Sequence, residues 1–191
     1  MARSFSVAQF KSNLTFGGAR PTLFEVNLFS PPQGVQLDMP QGGRFLIRSA
    51  QIPDSTVGLI SIPYFGRAVK MAGDRTFPTW NVTVINDEDF KLRAAMETWS
   101  NSINQLRGNT RLRSASNLNY KANAQVIQYS KTGETLRTYV FEGLYPQNIG
   151  AIDLAWDSTD QIENFQVSFE YDNWYLGNAG ITAANGIGDQ G

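Results

Sequence analysis

The sequence contains no cysteine and no histidine. Without thiols there is no disulfide framework, no thiolate nucleophile and no Cys-based zinc site, and without imidazole there is no His general base or His metal ligand. Serine-histidine hydrolases and thiol enzymes are thereby excluded. Charge is also scarce: 16 Lys and Arg against 17 Asp and Glu leave a net charge of −1, which argues against a basic nucleic-acid binder. No apolar run approaches the roughly 18 residues of a membrane-spanning helix, so no membrane anchor is expected. The opening Met1-Ala2-Arg3-Ser4-Phe5-Ser6 has no apolar signal-peptide stretch, so the product is expected to be soluble and to stay in the compartment that makes it. What remains is 191 residues with 41% apolar content, a globular composition long enough to bury one real core.

Aromatics at 12% and 17 glycines favour strands over helices, because flat and β-branched side chains fill a pleated, half-buried surface. Phe24, Val26 and Leu28 alternate with polar neighbours, as do Trp80, Val82 and Val84. The same period is read around Val126, over 137–142, at Ile152, Leu154 and Trp156, and at Phe165, Val167, Phe169 and Tyr171. Between residues 87 and 107 the period changes: Leu92, Met96, Trp99, Ile103 and Leu106 fall on one helical stripe. Asn86 or Asp87 is the expected N-cap, Asp87, Glu88 and Asp89 suit the positive end of the helix, and Arg107 with Gly108 suits its end. Lys131-Thr132-Gly133-Glu134 reads as a hairpin turn, and 108–119 as an exposed loop. The expected class is therefore mainly β, an antiparallel sandwich or small barrel with one flanking helix at about 87–107. The domain is expected to span 20–175, with an extended lead-in at 1–19 and a flexible Gly-rich tail at 176–191.

The most unusual stretch is 51–67. Pro53 and Pro63 bracket Val57, Leu59, Ile60, Tyr64 and Phe65, with only Asp54 and Arg67 as charges. Such an excursion is either tucked into the core or is a contact arm for another subunit, and the arm is the expectation carried forward.

Candidates for chemistry are thin. Gly186-Ile187-Gly188-Asp189-Gln190-Gly191 matches G-x-G-x-x-G by letter, but that fingerprint requires a strand before it and a helix after it. Asp153, Asp157 and Asp160 have the chemistry of a hard-cation site or a glycosidase pair, yet 157–160 has turn composition and the first two suit the polar face of a strand. Asn13-Leu14-Thr15 and Asn81-Val82-Thr83 are glycosylation sequons by letter only. Arg107, Arg111 and Arg113 beside Tyr120 form a small basic cluster of the kind a solvated loop carries. No enzyme activity, cofactor or metal is expected.

Residues 72–88, AGDRTFPTWNVTVINDE, resemble the tail tube protein family of T-even-like contractile-tailed bacteriophages, which carries a similar AGDRTF, then W-x-V-T-V, then NDE opening a helix. Two further blocks agree in order: Arg20 to Val26 resembles the family's first strand, and Gly143 to Gly150 with Leu154 to Ser158 and Ile162 to Val167 resembles its closing strands up to Trp174.

The resemblance implies a non-enzymatic virion protein. Six copies would close into a ring, and rings would stack into a tube inside a contractile sheath that serves as the conduit for DNA. Expected partners are further copies of the chain, the tail sheath protein, the baseplate tube initiator, the tail terminator, and phage DNA passing non-specifically through the lumen. Assembly is expected in the host cytoplasm and residence in the virion. A baseplate tube-initiator paralogue, or the tube of a phage-derived injection particle, is the alternative within this class. A carbohydrate-binding β-sandwich module is the alternative outside it, disfavoured because Trp80, Trp99 and Trp156 fall on core-facing periods. On this resemblance the arm supplies inter-subunit contacts through Pro53, Leu59, Ile60, Tyr64, Phe65 and Arg67. Asp74 and Arg75 either pair to fix the adjoining turn within the chain or contact a neighbour. A DNA conduit should not hold phosphates, so Asp153, Asp157, Glu170 and Asp172 are expected either to line the bore or to face a basic surface of the sheath.

Overall fold

The computed structural model describes residues 6–14, 18–29, 46–111 and 120–177. The six-residue glycine motif at 186–191, Arg113 and the tail from 178 onward lie outside the described residues.

Two antiparallel sheets face each other. The first runs β1 (Phe24–Phe29), β6 (Ala122–Tyr129), β7 (Thr135–Ile149), β9 (Asn173–Gly177), and the second runs β2 (Ile47–Ala50), β5 (Trp80–Ile85), β8 (Asn164–Glu170), β7. Strand β7 thus belongs to both: 138–142 pairs with β9, 135–144 with β6, and 145–149 with β8. The change of sheet occurs at Gly143, whose φ of +68 lies in the left-handed region. Pro146, which has no N–H to donate, is tolerated because this half of β7 is an edge of the second sheet.

Alternation decides which faces meet. Val26, Ala124, Val126, Phe141 and Leu144 from the first sheet are buried against Trp80, Val82, Phe165, Val167 and Phe169 from the second. Trp80 stacks on Phe141 at 4.4 Å between ring centroids, and Tyr171 meets the same ring edge-on at 5.0 Å. Helix α2 (Lys91–Ile103) closes the core by inserting Leu92, Met96 and Trp99, and the Trp99 indole donates to the Tyr120 carbonyl at 2.7 Å. The Arg93 guanidinium lies 5.3 Å over the Phe165 ring and donates to the Gly150 carbonyl.

The helix is shorter than 87–107. Phe90, at φ +53, occupies the N-cap position without a side-chain cap, while Asn86 turns away and donates to the Glu163 carboxylate. Asp89 accepts from both the Lys91 amide and ammonium, which holds its carboxyl below the usual carboxylate range. At the other end Asn104 is extended, and Leu106, expected on the buried stripe, is 93% exposed. The left-handed residue that follows is Asn109 rather than Gly108. A helix was not expected in the lead-in, yet α1 (Val7–Asn13) forms there, with Val7 and Phe10 exposed.

The strand expected at Ile152, Leu154 and Trp156 does not form. Residues 150–163 are a loop in which Leu154 is 79% exposed and Trp156 fully so. The core-facing assignment of Trp156 is thereby corrected, and the reason lies in strand pairing: β7 has already supplied the edge of the second sheet, so 150–163 has no ladder to join. The turn at Lys131–Glu134 forms, with Gly133 at φ +83 and a Ser130 amide to Glu134 carbonyl bond of 2.8 Å.

Candidate functional site

The stretch read as an apolar arm is a hairpin, and it extends further along the chain. Strand β3 (Thr56–Tyr64) pairs with β4 (Arg67–Thr76) as a sheet of its own, separate from the two core sheets. Its turn has two central residues, Phe65 at φ +44 and Gly66 at φ +77, the positive pair that matches the twist of flanking strands. Glycine accepts this geometry freely, whereas a bulky aromatic at positive φ is an outlier. Phe65 is held there 91% exposed, with its ring edge-on to Tyr64 at 4.7 Å.

Leu59, Ile60, Ile62, Tyr64, Val69 and Met71 are also exposed. Because successive strand residues point to opposite faces, neighbours such as Leu59 and Ile60 place apolar surface on both sides of the ribbon. Arg67, Lys70 and Arg75 add three cations against one carboxylate, Asp74.

The root is fixed to the body. Pro53 is buried, so it positions the hairpin and is not available as a contact surface. The Trp174 indole donates to the Asp54 carbonyl at 3.1 Å, tying the root to β9. The Arg75 guanidinium donates to the Ser55 hydroxyl at 3.1 Å, and no ion pair between Arg75 and Asp74 forms among the described residues.

The acidic residues do not share one face. Asp153 and Asp157 stand exposed in the 150–163 loop rather than on a strand. Glu170, at the end of β8, is half-buried and accepts from the Thr79 hydroxyl at 2.7 Å. Asp172 is bound by the Lys121 ammonium through both oxygens, at 2.6 and 2.7 Å. No group of three or more potential metal ligands gathers among the described residues.

Ile62, Val69, Lys70 and Met71 are exposed on the same hairpin and lie outside the contact residues expected for the arm. Their signal was present in the alternation of Val69 and Met71 after the Phe65-Gly66 turn.

The outer face of the second sheet has a different character. Asn81 and Thr83 on β5 stand opposite Ser168 and Gln166 on β8, and the Ser168 hydroxyl donates to the Asn81 side-chain carbonyl at 2.7 Å. Neither strand contains Lys or Arg, so β5 and β8 offer amides, hydroxyls and the Glu170 carboxylate, while the exposed Arg48 of β2 lies at the edge of this sheet.

Comparison with known proteins places this architecture. Residues 19–177 match the family model described as phage tail tube protein. The tail tube protein gp19 of Enterobacteria phage T4 is 33% identical over 157 residues, covering 82% of this chain and 90% of that protein. Its counterpart in phage T6 is 34% identical over the same coverage. A chain of the sheath-tube complex of an extracellular contractile injection system, in the extended state, shares the fold with a TM-score of 0.54 at 17% identity, covering 91% of this chain and 99% of that one. The chain, a two-sheet body with a projecting hairpin, thus belongs by its sequence to the phage tail tube protein family.

Proposed function

We infer that the chain is the repeating subunit of a contractile tail's tube: six copies close into a ring, rings stack, and DNA leaves through the bore. The observation that carries this reading is the β3–β4 hairpin. An isolated two-stranded hairpin is marginal in water, and this one exposes apolar side chains on both faces. Contacts with further copies of the chain cover such surface, and a patch that meets a different patch on the next copy propagates into rings and stacks. Leu59, Ile60, Tyr64, Phe65 and Arg67 carry that contact.

The bore is lined by the outer faces of β5 and β8, with Arg48 of β2 at the margin of that wall. Each Lys or Arg on a conduit wall would hold phosphate by releasing counterions, and β5 and β8 contain neither. On this reading Glu170 belongs to that wall, while Asp172, bound by Lys121, does not contribute free charge. The remaining partners are the sheath around the tube and the initiator and terminator at its two ends. Assembly takes place in the host cytoplasm and the role is structural.

Negative-stain electron microscopy of the purified chain at several concentrations tests this. Hollow tubes or rings are expected from the full chain, and a variant with 56–76 replaced by a short linker should remain unstacked. A monomer at every concentration refutes self-assembly by the chain alone. Copy number per particle separates the repeating subunit from a tube initiator, and a packaged genome separates a virion from an injection particle.

A further inference from the structure

A second unpartnered surface faces solvent in the 150–163 loop. Its two feet are pinned: the Gly150 amide donates to the Gln166 carbonyl at 2.7 Å, and Glu163 accepts from the Asn86 side chain at 2.9 Å, with its carbonyl accepting the Asn86 amide, also at 2.9 Å. Between them Ile152 packs against the core, and from Asp153 to Ile162 every residue is exposed. A bond from the Ser158 amide to the Ala155 carbonyl closes a turn that presents Trp156, and Leu154 is exposed just before it. An exposed tryptophan on a loop held at both ends is an arrangement that packing within the chain does not explain.

The charge of the loop is one-sided. Asp153, Asp157, Asp160 and Glu163 occur in 150–163 without a single Lys or Arg. The hairpin has the opposite bias, with Arg67 and Lys70 next to its apolar tip and Phe65 held at a positive φ that strains it. Each surface therefore has what the other lacks, an aromatic knob with cations against an aromatic and aliphatic platform with carboxylates. Within one chain they do not meet, since Trp156 and Phe65 are both open to solvent.

We propose that the 150–163 loop is the receiving surface for the β3–β4 hairpin of a second copy of this chain, with Trp156 and Leu154 covering Phe65 and Tyr64, and Asp153 and Asp157 pairing with Arg67 and Lys70. This rests on the self-assembly reading above and assigns its second half. The contact is heterologous, one patch meeting a different one, so each copy keeps a free hairpin at one end and a free loop at the other and the series continues. Buried aromatic anchors carry most of the energy in such a contact, and the ion pairs fix partner and register.

Charge exchange on the full chain tests the pairing. Asp153→Lys with Asp157→Lys, or Arg67→Glu with Lys70→Glu, should each prevent assembly, while the four substitutions together in one chain should restore it. Trp156→Ala should raise the protein concentration needed for tubes on the order of 30-fold, the loss of one central anchor. Far-ultraviolet circular dichroism identifies variants that fold as the parent does. Assembly of the loop variant at the parent's concentration would overturn the proposal. So would a folded four-substitution chain that stays dispersed while the parent forms tubes. A parent chain that forms no assembly at all refutes self-assembly by the chain alone, and this contact with it.

Discussion

Gly143→Ala is the substitution that most directly tests how the two sheets are joined. At φ +68 an alanine adopts a conformation that costs about 1–2 kcal/mol for an L-residue. The new Cβ would also lie 2.6 Å from Asp172 Cγ, closer than carbon atoms approach, so the Asp172 carboxyl must move. That carboxyl is not free to move without loss, because both its oxygens hold the Lys121 ammonium and its backbone amide donates to Glu142. The Asp172 side chain is 58% exposed, so the ion pair is screened and adds only about 0–1 kcal/mol. The total is about 1–3 kcal/mol, which for a domain of this size lowers Tm by roughly 2–12 °C. Urea denaturation followed by circular dichroism measures it. Asp172→Ala combined with Gly143→Ala should cost less than the sum of the two single substitutions, since the clash then has no partner. A Gly143→Ala loss below about 0.5 kcal/mol, within the ordinary range of surface changes, would refute the argument.

Three further outcomes are expected. Trp99→Ala removes a buried indole and its bond to Tyr120, and should destabilise by about 3–5 kcal/mol in urea, with a loss below about 1 kcal/mol inconsistent with α2 as part of the core. Tyr171 has its phenol pushed above the ordinary value, first by burial and then by the Asp54 and Glu170 carboxylates. The folded state therefore holds that proton more tightly: the contribution is fully present below pH about 10 and is lost as pH rises through the higher folded value, so Tyr171→Phe should flatten the alkaline fall in stability. Gln166→Lys with Ser168→Lys places two cations on the proposed bore wall, and should slow DNA ejection at low salt and restore it as salt rises, while ejection at the parent rate at all salt concentrations would move the bore to another face.

Strands with strict alternation were readable from the sequence. In β5 and β8 every second residue is a large apolar one, and the pattern survives because each strand has one face on the core and one outside it. In β7 it does not survive. Thr138, Phe141, Leu144 and Pro146 are the buried positions, and the step of three from Phe141 to Leu144 spans Gly143, where the bend and the transfer to a second sheet shift the inward face. That non-local pairing also explains the misplaced strand at Ile152 to Trp156, whose alternation had the right letters and no neighbour to pair with. The helix was legible through Leu92, Met96 and Trp99, but its ends depended on where Asn86 and Asn104 turned, which is set by Glu163 and by backbone geometry outside the helix. Of the candidate surface, the apolar tip at Tyr64 and Phe65 was visible as residues without an intrachain purpose, whereas Trp156 was hidden by a period that imitated a core strand.

Sheets in an ordinary sandwich are held together by interdigitated side chains, which slip past one another at the cost of repacking. Here the peptide backbone of β7 crosses from one sheet to the other and is hydrogen-bonded to β6 and β9 on one side of the bend and to β8 on the other. Sliding one sheet over the other therefore strains a covalent chain and unzips two ladders at once. Force entering through either sheet is carried to the other along β7, so the subunit meets a shearing load as one stiff piece, and the position of greatest stress is the single residue, Gly143, at which the load path turns.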